Sequence, residues 1–149
     1  MILICHLLAG AAIGANISNP VLALSLALLS HYFLDVLPQL EYSIRNIQGG
    51  HWHKSFFDFF KVFLDIAFGI LLILLFSKNT PLIFAAAFIA ILPDGFTLLN
   101  IIFQKNKLLN KHQQFHQKIN SIGENKKISL FWKISVQILV VLIAIFFLL

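Results

Sequence analysis

His31 and Asp35 sit four residues apart in the stretch "SHYFLDVLPQLE", residues 30–41, and have the types and spacing for metal or acid–base chemistry. Residues four apart share one face of a helix, so an imidazole and a carboxylate would project together. They close an apolar run, "NPVLALSLALL", that suits hydrocarbon, and Pro38 stops the helix behind them. His6 likewise extends a row formed by Gly10 and Gly14, His31 and Asp35 extend Ala23 and Ala27, and Asp94 extends Ala86 and Ala90. Small residues at this spacing let membrane helices approach closely, so each ionisable group should point into a bundle. Imidazole nitrogens and carboxylate oxygens together suit a divalent ion such as zinc, manganese or iron. An ionised carboxylate at the bilayer centre otherwise costs ~2.5–3.5 kcal/mol. A bound ion would offset that desolvation and could lower the pKa of a bound water to supply a nucleophile.

The elements that must carry these groups are helices in lipid. Of 149 residues, 59% are hydrophobic, 11% are charged and 16 are Phe. A globular domain is roughly half apolar, so the excess calls for a bilayer, and the length fits one transmembrane domain over residues 1–149. Cys5 is the single cysteine, which excludes an intramolecular disulfide. It lies too near Met1, with no basic stretch before it, for a cleaved lipoprotein or secretory signal. Five apolar segments can be drawn, at about 2–16, 20–37, 55–77, 81–104 and 128–149. Asn19 with Pro20 and Thr80 with Pro81 have the pattern of helix starts, and Ser55 with Asp58 that of a capping pair. A spanning helix needs about 20 residues, so the short first segment tilts or pairs with the second as a tight hairpin. The expected fold is an all-α integral membrane bundle of four to five transmembrane helices.

Charge sets its orientation. Six of the eleven basic residues fall between Lys105 and Lys127, and Arg45 and Lys54 lie in the loop 38–54. The positive-inside rule then puts both long loops and the N-terminus in the cytoplasm of a multi-pass cell-membrane protein. Such a basic loop points to topology and anionic lipid headgroups rather than nucleic acid. Within it "KLLNKHQQFHQKIN", 107–120, is too polar to span, and Leu108, Phe115 and Ile119 form the apolar stripe of an interfacial amphipathic helix. No internal repeat or low-complexity linker is present.

Depth gathers the polar groups at one end. His6 lies one or two turns from the cytoplasmic start of the first helix, and His31 and Asp35 lie within two turns of the cytoplasmic end of the second. Asp94 is ~15 Å, at 1.5 Å per residue, from the cytoplasmic end of the fourth. Pro93 beside it should leave the Ile89 carbonyl without its usual donor. The expected metal ligands are His6, His31, Asp35 and Asp94, with His116 closing the cavity from below. Catalytic groups are expected among Asp35, Asp94 and His116. Each has a plain structural reading as well: an intrahelical pair for His31 and Asp35, an interhelical bond for His6, helix termination for Asp94. His112 shares the spacing of His116, "HWHK" at 51–54 reads as surface loop, and Glu41 is close enough to support Asp35. Asp58 reads as a cap, Asp65 as an i, i+4 ion pair with Lys61, and Cys5 as packing.

The ordered series "HLLAGAAIG", "SHYFLDVLPQLE", "LPDG" and "FHQKIN" resembles small bacterial membrane-bound metal-dependent hydrolases, well over residues 5–41 and loosely over 92–120. The resemblance implies an inner-membrane, metal-binding hydrolase with lipid phosphoesters as one substrate class, and marks His6, His31, Asp35, Asp94 and His116 by position. Two positions depart from it. Gln39 follows the helix-ending proline and Asn120 stands four residues after His116, where the family pattern has histidine. Neither amide replaces a strong nitrogen ligand, which weakens the case for a two-metal site and for catalysis; His51, His53 or His112 could compensate. The expected function is metal-assisted hydrolysis of a lipid-associated (phospho)ester, with membrane lipids as surroundings. The alternatives are a non-catalytic membrane protein whose buried His and Asp groups only pack helices or bind a partner, and a transporter or channel for protons or metal ions. A transporter would need polar groups through to the outer side, where the helices are almost purely apolar.

Overall fold

Asn19 starts the second helix as its type predicts: its side chain accepts a hydrogen bond from the Leu22 amide, and Pro20 follows in the first turn. The computed structural model describes residues 1–123 and 128–149, so Lys126 and Lys127 of the basic loop lie outside the described residues. The helices are α1 (Leu3–Asn16), α2 (Pro20–Val36), α3 (Arg45–Gln48), α4 (Phe56–Phe76), α5 (Pro81–Ile102), α6 (Lys107–Gly123) and α7 (Leu130–Leu148). A 3-10 turn, Trp52–Lys54, precedes α4, and no strand occurs among the described residues. The all-α membrane architecture expected from the sequence is the one observed. Helices α4, α5 and α7 are long and apolar enough to cross a membrane, and α1 and α2 are shorter apolar helices.

α1 is the hub. It packs against α2, α4, α5 and α7, and Cys5, Leu7, Leu8 and Ala11 are sealed inside it. Its tightest neighbour is α5, because both present small residues. A β-carbon on Gly10 would lie 2.6 Å from the Ala86 carbonyl oxygen, and one on Gly14 would lie 2.8 Å from the Ala86 β-carbon. α2 reaches α5 through another small-residue seam, where Ala27, Ala86 and Ala90 are fully buried together. Backbones that close carry polar side chains on the same rows into contact, and the site depends on that.

Three local readings need correction. Asp65 does not pair with Lys61. Its carboxylate accepts from the Leu3 amide at 2.7 Å and the Ile4 amide at 3.2 Å, with the Tyr42 hydroxyl donating at 3.1 Å. A helix leaves its first amides without partners, and in an apolar interior satisfying them outweighs an exposed ion pair. Lys61 instead reaches the Ser43 carbonyl and Asp58. Ser55 and Asp58 do not cap α4 together: Ser55 Oγ donates to the His51 carbonyl, and Asp58 accepts from the Asn46 amide at the start of α3. Thr80 makes no side-chain cap bond.

The amphipathic α6 lies against α2 and α5. Its His116 face is buried, while Leu108, Phe115 and Ile122 are exposed and Ile119 is half-buried. Gly123 ends it against the α2 terminus, where a β-carbon would collide with the Asp35 and Leu37 carbonyls. The α1–α5 seam gives a direct test. Gly10→Val should destabilise the bundle by roughly 1–3 kcal/mol, the usual cost of overpacking, read as an earlier unfolding transition in detergent.

Candidate metal centre

The helix packing brings His6 from α1, His31 and Asp35 from α2, Asp94 from α5 and His116 from α6 to one place. Asp35 is its centre. Oδ2 lies 3.1 Å from His31 Nε2 and 2.9 Å from His116 Nε2. Oδ1 faces His6 Nε2 at 3.3 Å and the Met1 amine at 2.8 Å. His31 Nε2 and His116 Nε2 are themselves 2.9 Å apart. Asp94 Oδ1 stands at the rim, 3.9 Å from His31 Nε2 and 3.7 Å from His116 Nε2. His6, His31 and Asp35 are sealed from solvent, His116 is nearly so, and Asp94 is half-buried.

Hydrogen bonding decides what those nitrogens offer. His31 Nδ1 lies 2.7 Å from the Ala90 carbonyl, which can only accept, so Nδ1 carries the proton. Pro93 removes a donor from the Ile89 carbonyl, as its position predicts, and the carbonyl that receives the imidazole is the next one. His116 Nδ1 lies 3.1 Å from Thr97 Oγ1, and that hydroxyl donates to the Pro93 carbonyl at 3.4 Å. The threonine oxygen therefore accepts from His116 Nδ1–H. Both neutral imidazoles then present lone pairs at Nε2, toward each other and toward Asp35. Three lone-pair atoms at about 3 Å repel unless a cation sits among them. Tetrahedral donors held ~2.0–2.1 Å from zinc are themselves about 3.3 Å apart, close to this spacing. The trio of His31, Asp35 and His116 could hold a metal ion, as could the overlapping trio of His6, His31 and Asp94.

Two further observations bear on the fit. His6 stacks on His31 with ring centroids 4.1 Å apart; its Nε2 meets Asp35 Oδ1 at 3.3 Å without hydrogen-bond geometry, and its buried Nδ1 has no partner among the described residues. A buried imidazole with so little hydrogen bonding is free to serve as a further donor. The competing way to hold the cluster together is a proton. Burial lowers the pKa of His116, but its hydrogen bond to Asp35 and the charge of Asp94 outweigh that and raise it.

The remaining sequence candidates surround the cluster. Gln39 donates to the Asp35 carbonyl at 3.2 Å and hydrogen-bonds Asn120, whose amide donates to Glu41 at 3.1 Å. The two positions that depart from the hydrolase pattern are thus neighbours, tying α6 to the end of α2. Glu41 also accepts from the Met1 amine at 2.7 Å. His112 stands outside the cluster, stacked on His116 and bonded to the Tyr32 hydroxyl at 3.0 Å. His51 and His53 lie on the exposed loop before α4, and Cys5 is buried packing.

Sequence reasoning missed Thr97 and the Ala90 carbonyl. Thr97 was within reach, being three residues after Asp94 and seven after Ala90 on the same face. A backbone carbonyl leaves no mark in residue types. No known protein family matches the chain, and neither does any curated protein or solved structure. Partners that fix a ligand's tautomer are worth about 10–100-fold in metal affinity. If the trio holds zinc, Thr97→Val should weaken that binding by this factor without changing its stoichiometry at saturation, measured by competition with a chelating dye.

Proposed function

We propose that this chain is a membrane-embedded metal-dependent hydrolase acting on a lipid-associated phosphoester or ester at one face of the bilayer. The observation that carries the reading is the pair of imidazoles whose Nδ1 protons are already committed to Ala90 and Thr97, leaving both Nε2 atoms against Asp35. His31, Asp35 and His116 hold a divalent ion, zinc, manganese or iron, with His6 completing the donor set and Asp94 left at the rim. The resemblance of the polar motifs to small bacterial membrane-bound hydrolases, with an inner-membrane setting, supports the same reading. The cytoplasmic side follows from the lysine-rich loop.

The ion would supply Lewis-acid stabilisation and a water of lowered pKa. Asp94 would be the group to hold a proton from water, because it alone among the carboxylates contacting the imidazoles reaches the rim. It would pass that proton to the leaving oxygen as water adds across the scissile bond. Asp35 is enclosed by His6, His31 and His116 and holds rather than reacts. His116 is fixed at both nitrogens, which suits a ligand better than a base.

The structural alternative, in which a protonated His116 clasps Asp35 and nothing is bound, is favoured by the raised His116 pKa. Elemental analysis separates them. Metal binding predicts about one zinc, manganese or iron per chain and a melting temperature lowered by chelator. Replacing His31 or His116 with Asn should remove the ion and that sensitivity. Asp94→Asn should retain the ion yet slow hydrolysis of a long-chain phosphomonoester by ~10²–10⁴-fold, the usual worth of a general base. Metal-free protein whose melting ignores chelator would overturn the proposal and leave the clasp.

A further inference from the structure

An apolar cleft of about 260 Å³ separates α4 from α5 and ends at Asp94 and Thr97. It exists because these two helices do not pack against each other: each leans on α1, and the short α3 also touches both. Val62 and Ile66 form one wall, Ile91 and Leu98 the other, and Leu3 lies at the base. Gly95 also lines it, and a β-carbon there would meet nothing within 4 Å. Outside the cleft the same helices present Phe63, Leu64, Leu92 and Leu99 as exposed apolar surface. The opening therefore faces what those side chains face, which for spans of this hydropathy is lipid.

Size and lining restrict the occupant. Ligand pockets run from about 300 to 1,000 Å³, so this one is small and suits one hydrocarbon chain. Its walls offer almost no hydrogen-bonding groups until the edge, which holds Asp94, Thr97, Tyr42 and the Met1 amine paired with Glu41. An occupant must be apolar along its length and polar at one end. We propose that the cleft between α4 and α5 seats a single alkyl or acyl chain of a membrane lipid and delivers its ester or phosphoester head to Asp94. The seat for the chain stands on the cleft itself; the fate of the head rests on the metal-centre reading above. At the polar end the Met1 amine already offsets Glu41, so Asp94 is the carboxylate that repels an anionic head until a cation offsets it.

The test is photolabelling of the purified chain in nanodiscs with a dodecyl phosphate carrying a diazirine midway along its chain, with and without zinc, followed by mass spectrometry. Adducts should concentrate on Val62, Ile66 and Leu98, and zinc should raise their yield several-fold. Gly95→Phe fills the cleft where a side chain meets no obstacle, and Val62→Phe narrows it from the other wall. Each should cut cleft labelling at least fivefold while leaving zinc stoichiometry and labelling of the outward-facing Phe63 unchanged. If one variant fails to fold, the other decides. Labelling spread evenly over lipid-facing residues, or cleft labelling indifferent to the substitution in folded protein, would overturn the seat. Cleft labelling that responds to both plugs in a protein that takes up no zinc would uphold the seat and overturn the metal centre alone.

Discussion

Two imidazoles have their Nδ1 protons fixed elsewhere and are pressed against one carboxylate. That constraint organises the molecule. It holds because His31 reaches the Ala90 carbonyl at 2.7 Å, which requires α2 and α5 to be nearly touching. They can touch because the seam is alanine. α1 then fits against the same helix because Gly10 and Gly14 lie over Ala86, and this places His6 on His31. The small-residue rows are therefore the cause of the polar cluster. In lipid, where the hydrophobic effect gives helices no reason to associate, close packing of small residues and interhelical hydrogen bonds must do so. The cluster and the seams support each other.

Much of this was legible because one rule governs both. Residues four apart share a helix face, so a row of glycines or alanines that ends in His or Asp announces a polar group turned inward. His6, His31, Asp35 and Asp94 all follow that rule; His116 does not, since its row on α6 holds Leu108, His112 and Asn120, and it was legible from the amphipathic helix that carries it. The failures share a different cause. Asp65 has a lysine four residues earlier, so local spacing suggests an ion pair, yet the carboxylate serves amides of α1 more than sixty positions away. Asp58 likewise serves α3 rather than its own helix. Unpaired backbone amides in an apolar interior attract a carboxylate more strongly than an exposed lysine does, and which helix end lies beside it is a property of the fold. The Ala90 carbonyl was invisible for a simpler reason, since main-chain carbonyls are the same at every residue.

Helix length explains why the site has the surroundings it has. α1 has 14 residues, about 21 Å at 1.5 Å per residue, against a hydrocarbon core of ~30 Å. A helix that short, ringed by longer ones, ends inside the bundle rather than at a water interface. Its first amides then need an internal acceptor, which Asp65 provides, and the space beside its start is left for polar side chains. A longer α1 would fill the ground that Asp35, Glu41 and the Met1 amine now share.

Access follows from which sides are covered. α6 lies across the ends of α2 and α5, with His116 inward and Leu108, Phe115 and Ile122 outward, and the Gln39–Asn120 bond and Gly123 pin it to the α2 terminus. That seals the centre from the direction an interfacial helix covers. α1 and α2 close two further sides, since His6 and His31 have no exposed surface. What remains is the side of Asp94, the half-buried member of the cluster, and beyond it the gap where α4 and α5 fail to meet. On the proposed reading, a polar centre whose least obstructed approach runs between two apolar helices would receive molecules already dissolved in the bilayer. On that reading, water-soluble molecules would have to cross apolar walls before meeting a polar group.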